Sequence, residues 1–381
     1  MELRILATAD LHLGMRFGGY PELQADLTEA RFSALERLVA QGNGRECRLL
    51  IVAGDLFHRL NLPQRDIQRA ADALNEFHGE AVAVLPGNHD YYTGDSGSLW
   101  KNFRDRADGH VLLLTEPRAY DLADYNLPVR LYPGPCTSKH SRENALGWLA
   151  AEDGVKRKDG ALRIGVAHGS LDGVSPDTQG EYYPMRLAEL QSYGLDLWVL
   201  GHTHRPPAAD GLRPDADACL FIPGTPEPDG FDCEHAGSAL LLRLEHGKVR
   251  AERLDTGTYR FRRETLEVAA EEPEAGRRPP SAAFARYFDA EYERTLLRLT
   301  LRGSLDAEAL RRVRAEVDRL KRTIPWLETD DAELRERITA EKVEGEFARG
   351  SFSWLLLRRL LEAGETEALE QAYELIREVR G

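Results

Sequence analysis

The sequence predicts an α/β protein in two parts, a larger one over residues 1–260 and a smaller one over 261–381. Three observations lead there. Short apolar runs bounded by Gly and Pro alternate with stretches of helical spacing, as buried strands alternate with the helices that cover them. Several of these runs end alike, in a cluster of Asp, Asn or His just past the apolar stem, and open α/β sheets bind ligands at that carboxyl edge. At Ala269–Ala283, "AAEEPEAGRRPPSAA", Pro, Glu, Arg and Gly replace the apolar periodicity, which reads as a linker or an ordered surface crossing.

In chain order, "LRILATADLH" begins as a buried strand, and "LQADLTEARFSALERLVAQG" has helical spacing with a glycine stop at Gly42. "RLLIVAGDLFH" reads as a strand, "DIQRAADALNEFHG" as a helix and "AVAVLPGNHD" as a third strand. "LRIGVAHGS" and "LDLWVLGHTH" repeat the strand pattern, and "ACLFIPGT", "SALLLRLEHG" and "KVRAERLDTG" make a strand-rich ending. Beyond the composition break, "RTLLRLTLRG" alternates as a strand, "LDAEALRRVRAEVDRL" is an amphipathic helix and "RTIPWLE" is a short strand; the remainder reads as helical. The small second part is therefore expected to be an α/β domain with a helical tail.

Composition narrows the function classes. The 381 residues are 42% hydrophobic and 30% charged, values of a globular protein, and too many for one core of usual size. No run approaches the roughly 18 apolar residues of a membrane span, and "MELRILATAD" lacks the basic and apolar regions of a signal peptide, so no membrane contact and a cytoplasmic location are expected. Cys47, Cys136, Cys219 and Cys233 lie far apart without CxxC spacing, which argues against a zinc ribbon or a disulfide framework. The net charge is −14, with 28 Lys and Arg against 38 Asp and Glu in 1–260, and 22 against 26 in the rest. Neither part is a basic module, so a polyanionic substrate would have to be held by local features, bound metal or a partner.

Five polar clusters stand at strand ends: "DLH" at Asp10 to His12, "GDLFH" at Gly54 to His58, "GNHD" at Gly87 to Asp90, "HG" at His168 and "GHTH" at Gly201 to His204. A single histidine after a strand is more often a hydrogen-bonded structural residue. Five such ends in one half of the chain, gathered on one sheet edge, point to a metal site. Two divalent ions about 3.5 to 4 Å apart need ligands on both sides and one shared between them, which a carboxylate supplies. Asp55 is the natural bridge, because its strand is expected beside that of Asp10. In an alternating strand end Asp10 and His12 point the same way, as do His202 and His204. With Asn88 and His168 the set comprises seven N and O ligands and no thiolate, which suits Mn, Fe or Zn rather than calcium. Gly54, Gly87, Gly169 and Gly201 sit beside ligands, where a tight turn or close approach excludes a Cβ.

The order Asp-x-His, Gly-Asp, Gly-Asn-His-Asp, His-Gly, Gly-His-x-His resembles the calcineurin-like metallophosphoesterase superfamily over residues 3 to about 255. The forms "DLHLG", "GDLFH" and "PGNHD" resemble its SbcD-type nuclease branch, and the second domain looks most like the YhaO-type relatives. The resemblance implies a metallophosphoesterase-type β-sandwich flanked by helices, with a small C-terminal α/β capping domain for partner interaction. It implies two divalent metal ions, Mn first and Fe or Zn as alternatives: one on Asp10, His12, Asp55 and His204, the other on Asp55, Asn88, His168 and His202. His89 matches the family's general acid, and His58 a histidine contacting the scissile phosphate. Phosphomonoesterases of the protein phosphatase type usually continue the second motif with Asp-Arg-Gly; "GDLFHRLNLP" has none, which favours the nuclease branch.

The function expected is thus a metal-dependent DNA nuclease acting in double-strand-break repair or DNA end processing with an SMC-like (SbcC/YhaN-type) ATPase, as a homodimer. The alternative is a phosphodiesterase or phosphatase acting on nucleotides or small phosphorylated substrates, favoured by the acidic balance; a scaffold without catalysis would have lost ligands, and none is missing. Asp90 reads either as an imidazole-orienting partner or as a turn residue, and Tyr91 and Tyr92 as base-stacking groups or packing under the loop. The runs "KHSR" (Lys139 to Arg142) and "VKRK" (Val155 to Lys158) read as solvated surface or phosphate contacts. The tail "SFSWLLLRRLLEAG" and "ALEQAYELIREV" reads as two amphipathic helices that complete a core or dock to the ATPase.

Overall fold

The larger unit, Met1–Phe261, is built on strands β1 (Leu3–Thr8), β2 (Leu49–Ala53), β3 (Ala81–Leu85), β4 (Val111–Leu113), β5 (Tyr120–Asp121), β6 (Val129–Gly134), β7 (Leu162–His168), β8 (Leu197–Gly201), β9 (Cys219–Phe221), β10 (Ala239–Glu245) and β11 (Lys248–Leu254). The computed structural model describes residues 3–94, 99–152, 160–207, 219–245, 248–268 and 280–380. One sheet runs β11-β10-β1-β2-β3-β4 and the other β5-β6-β7-β8-β9. β1 through β4 are mutually parallel, as are β6 through β9, while β10 returns antiparallel beside β1. Every residue of β2, β3 and β8 is buried, as expected of strands covered on both faces.

Period-two alternation divides the cores. Ile5, Ile51, Ala83 and Leu85 of the first sheet share one cluster with Leu131, Ile164, Val166 and Val199 of the second, so the two sheets pack face to face. Leu6, Leu50, Val52 and Val84 point the other way, with residues of α1 (Gln24–Gly44), α2 (Gln64–Asn75) and α3 (Leu99–Arg104). Behind the second sheet, Tyr132, Trp198 and Leu200 pack with Leu190 of α4 (Leu187–Ser192). The parallel strands of each sheet thus deliver their carboxyl ends as stems for short turns. Helix α1 does not stop at Gly42 as expected but runs two residues further. Gly42 is an interior packing position, where a Cβ would lie 3.1 Å from both Leu6 and Phe77. β4, β5 and β6 went unread, being short or, in "VRLYPG", interrupted by Pro133.

The smaller unit, Arg262–Gly381, contains α5 (Pro280–Phe284), α6 (Ala307–Leu320) and a sheet of β12 (Arg260–Glu267, all but its first two residues), β13 (Thr295–Leu305) and β14 (Trp326–Glu336) in that order. The Asp306 carboxylate accepts the Ala309 N–H at 2.7 Å and starts α6, whose Leu310, Val313, Val317 and Leu320 cluster with Leu297, Leu299 and Leu301. "TDDAELRE", expected to be helical, is the second half of β14. It pairs in parallel with β13 through a bulge between Thr300 and Arg302. Its charge-rich composition is tolerated because it is an edge strand with mostly exposed side chains, where pairing outweighs local propensity. The tail forms α7 (Ala340–Glu346), α8 (Phe352–Ala363) and α9 (Thr366–Arg380). Ser351 caps α8 and Gly364 ends it in the left-handed region, at φ 71°. Val343, Phe347, Leu357, Leu369 and Tyr373 form a core of their own, while Phe352, Leu355, Leu375 and Val379 are exposed. Most of the composition break and all of "VKRK" lie outside the described residues; α5 begins at Pro280. Among the described residues no helix is long and apolar enough to cross a membrane, and Cys47, Cys136 and Cys233 are buried free thiols.

Candidate metal centre

Five stems carry the seven sequence-predicted ligands to one place. Asp10 and His12 follow β1, Asp55 follows β2, Asn88 follows β3, His168 ends β7, and His202 and His204 follow β8. The expectation of an extended, alternating strand end at Asp10 and His202 is corrected. Asp10 (φ 55°), His12 (φ 47°), Asp55 (φ 51°) and His202 (φ 88°) all occupy the left-handed region. The backbone leaves the extended state as soon as the strands end, and the turns are laced together: Asp10 N–H donates to the Gly54 carbonyl at 3.1 Å, and His12 N–H to that of Asp55 at 2.9 Å. Non-glycine residues adopt such angles at a cost, and several at one site are a functional signal.

The ligand atoms fall into two lobes around Asp55. Its Oδ2 lies 3.4 Å from His12 Nε2 and 3.4 Å from His168 Nε2, so one carboxylate oxygen faces both sides. In one lobe His12 Nε2 is 2.9 Å from His204 Nε2, which is 3.9 Å from Asp10 Oδ1. In the other, Asn88 Oδ1 is 3.0 Å from His168 Nε2 and 3.2 Å from His202 Nδ1. Asp10, His12, Asp55, Asn88 and His168 are buried; His202 and His204 are partly exposed.

These atoms fit cations. His168 Nδ1 lies 2.9 Å from the Ala53 carbonyl and His204 Nδ1 2.6 Å from Asp229 Oδ2. Both partners only accept, so each Nδ1 carries the hydrogen and each Nε2 turns its lone pair inward. Asn88 also turns its oxygen inward and leaves Nδ2 buried without a partner. With His168 and His204 in these neutral tautomers, their Nε2 lone pairs converge with the oxygens of Asn88, Asp10 and Asp55. Electrostatics give the same reading. Burial alone would depress His168, but Asp55 and Asp10 outweigh it and push it up to about 9. Burial likewise opposes charge on His204, and the Asp229 and Asp10 carboxylates push it up to about 9. Asp55 itself is driven down, its burial penalty overcome by His168 and His12. His12 and His202 go the other way, held down by burial and neighbouring imidazoles, His202 to about 3. The carboxylates thus favour positive charge on His168 and His204, the sign of charge that divalent cations would bring.

His89 and His58 stack beside this cluster, ring centres 5.1 Å apart, and His89 lies edge-on to His12 at 4.8 Å. The His89 backbone N–H donates to Asp55 Oδ1 at 2.9 Å, and its Nδ1 lies 3.2 Å from the His58 carbonyl. Half-buried His58 is held down to about 4, by burial first and then by His89 and Arg31. Asp90 is a loop organiser and not an imidazole partner: Oδ1 accepts from Gly87 N–H at 2.7 Å and Oδ2 from Phe57 N–H at 2.9 Å. Burial pushes its carboxyl well up. Tyr91 is half-buried, and Tyr92 packs under the loop against the outer core.

Sequence reasoning missed a supporting ring. Arg31 on α1 is buried, and its Nη1 donates to the Leu11 carbonyl at 2.6 Å; Thr225 reaches the Asp10 carbonyl at 2.9 Å. Asp229 meets His204, and Tyr182 lies over His202 with ring centres 5.1 Å apart. Tyr182 in turn meets His140 of "KHSR", whose Arg142 pairs with Glu181 at 3.3 Å. Arg31 had a signal, since it interrupts the apolar stripe Leu27, Ala34, Leu35, Leu38 of an amphipathic helix. Asp229 and Tyr182 had none.

Glycine beside the ligands is required by close approach. A Cβ on Gly87 would lie 2.2 Å from Asp55 Oδ1 and 2.4 Å from its backbone nitrogen; one on Gly54 would lie 2.1 Å from His168 Nδ1. Gly87→Ala is expected to cost about 1–3 kcal/mol as an overpacking change and to displace the shared carboxylate. Thermal melting and metal content measure it; an unchanged melting temperature with full metal loading would show that the loop adapts.

Fold and site together define a metal-binding phosphoester hydrolase. The chain belongs to the calcineurin-like phosphoesterase family, whose sequence profile matches residues 3–206. It is 25% identical over 212 residues to "Uncharacterized metallophosphoesterase YhaO" of Bacillus subtilis (strain 168), covering 54% of this chain and 49% of that protein. It is 26% identical over 232 residues to "DNA double-strand break repair protein Mre11" of Aeropyrum pernix, covering 59% and 54%. The chain thus matches about half the length of each relative. Among solved structures, TT1561 of Thermus thermophilus aligns with a TM-score of 0.41 at 15% identity, covering 66% of this chain and 99% of that one.

Proposed function

We propose that this protein is a two-metal DNA nuclease of the SbcD type that acts in double-strand-break repair or DNA end processing. The observation that carries the reading is the two-lobed cluster sharing Asp55, with His89 beside it. Asp10, His12, Asp55 and His204 would hold one ion, and Asp55, Asn88, His168 and His202 the other. The family resemblance puts Mn first, and the N and O set also suits Fe or Zn. Two ions held there would supply the positive charge that phosphoester hydrolysis needs beside the phosphate.

The rest falls to the chain. His58 lies where a phosphate oxygen can be met beside the ligands. His89 donates a proton to the leaving sugar oxygen as the P–O bond breaks, so that no alkoxide is expelled; its ring is held through Nδ1 at the His58 carbonyl. Asp90 fixes the loop from Gly87 to His89 through two backbone N–H groups. The DNA assignment is supported by the Mre11 relative and by the Asp-Arg-Gly continuation absent after Asp55. An SMC-like ATPase is the partner this reading calls for, because the net charge of −14 holds DNA poorly alone. Exposed Phe352, Leu355, Leu375 and Val379 on α8 and α9 are apolar groups that such a partner would cover; a homodimer in the cytoplasm is part of the same proposal.

The same negative charge favours a second reading, a phosphodiesterase or phosphatase for nucleotides or other small phosphate esters. Both are separated by measuring hydrolysis of single-stranded DNA, cyclic nucleotides and phosphomonoesters in Mn²⁺, with and without the ATPase. The expected outcome is Mn²⁺-dependent DNA cleavage that outpaces small-ester turnover and rises with the ATPase. Faster turnover of the small esters would overturn the nuclease assignment.

A further inference from the structure

We propose that Asp229 is a positioning residue for the metal centre, holding His204 in the one tautomer and orientation that turn its Nε2 toward Asp10 and His12. This rests on the two-metal reading above. Asp229 Oδ2 lies 2.6 Å from His204 Nδ1, a charge-assisted hydrogen bond that places the hydrogen on Nδ1 and leaves Nε2 as the ligand atom.

The four imidazoles of the centre are not supported alike. His168 Nδ1 meets a neutral backbone carbonyl, that of Ala53, at 2.9 Å. His12 Nδ1 faces the ring of His58 at 3.3 Å. His202 uses Nδ1 itself toward Asn88. Among the described residues His204 is the one imidazole of the four whose outward nitrogen meets a carboxylate. An anionic partner makes an imidazole a stronger donor to a cation and fixes its ring, and losing such a partner typically weakens metal binding about 10–100-fold.

Asp229 is itself held. Arg31 Nη2 lies 3.5 Å from Oδ2, close enough for charge pairing, and Cys233 Sγ lies 3.2 Å from Oδ1. The same buried guanidinium donates through Nη1 to the carbonyl of Leu11, the residue between Asp10 and His12. Thr225 closes the arrangement: its N–H donates to the His204 carbonyl at 2.9 Å and its hydroxyl reaches the Asp10 carbonyl at 2.9 Å. Arg31 and Asp229 therefore couple the turn carrying Asp10 and His12 to the turn carrying His204, the three ligands private to one lobe. The other lobe, on Asn88, His168 and His202, has no such link through Asp229.

The consequence is selective. Asp229→Asn in the full chain should weaken one Mn²⁺ site about 10–100-fold and leave the second at wild-type affinity, read by titrating chelator-treated protein with Mn²⁺ and monitoring free ion by electron paramagnetic resonance. D229E should recover much of the lost affinity, which a merely structural defect would not show. D229S carries the same expectation as D229N and serves if that variant does not fold, with circular dichroism melts of chelated protein as the check. Wild-type affinity at both sites in folded D229N or D229S would overturn the proposal, and so would equal weakening of both. Wild-type protein that binds no Mn²⁺ would instead sink the two-metal reading, and this inference with it.

Discussion

Asp55→Asn is expected to strip metal from both lobes and to abolish phosphodiester hydrolysis. The substitution suits the position, because asparagine tolerates the left-handed backbone that Asp55 occupies at φ 51°. What it removes is the negative charge and one of two equivalent oxygens, where Oδ2 faces His12 and His168 at 3.4 Å each. Asp55 is also the first of the groups that raise His168 against its burial, so the cluster loses its central attraction for positive charge. Metal affinity should fall by more than the roughly 10–100-fold of an outer hydrogen-bond partner. Melting temperature gives an independent readout. A ligand at 100 times its Kd stabilises a folded protein by about 2.7 kcal/mol, so Mn²⁺ should raise the melting point of the wild type and not that of the variant. A variant that still binds two ions would show that the lobes do not share Asp55.

His89→Asn is expected to do the opposite: both ions stay and turnover drops. Removing a positioned proton donor costs about 10² to 10⁴-fold. The diagnostic lies in the leaving group. A nitrophenolate departs without a proton, so the variant should recover most of its rate on bis(4-nitrophenyl) phosphate while remaining slow on DNA. Equal losses on both substrates would place His89 in substrate or metal binding, and loss of an ion would make it a ligand, which its 4.8 Å ring contact with His12 makes a pointed question.

Much of this was legible because the signals were local. The all-apolar β2, β3 and β8 announced strands covered on both faces, and the polar residues at their ends announced the edge where ligands gather. Legibility failed where meaning depends on distant chain. Asp229 is one acid among several in "PEPDGFDCEH"; only its 2.6 Å contact with a residue 25 positions away distinguishes it. "TDDAELRE" reads as helix by composition, and its pairing with β13, some thirty residues earlier, makes it a strand. Asp10 and His202 stand in the expected group but on a different backbone from the one their spacing suggests. Period-two logic ends with the strand; beyond it the chain direction is set by hydrogen bonds to the neighbouring turn.

The four left-handed residues make the centre a load on the fold. Each costs on the order of 1 kcal/mol relative to a relaxed backbone, against a net stability of about 5–15 kcal/mol for a typical folded protein. With metal withheld, selection for thermal endurance alone would erode the centre first, since glycine at position 55 or 202 relaxes the backbone while deleting a ligand. A screen of random variants for heat resistance in the presence of chelator, blind to activity, should therefore enrich inactive proteins altered at Asp10, His12, Asp55 and His202. The residues that do the chemistry are the ones that stability would discard.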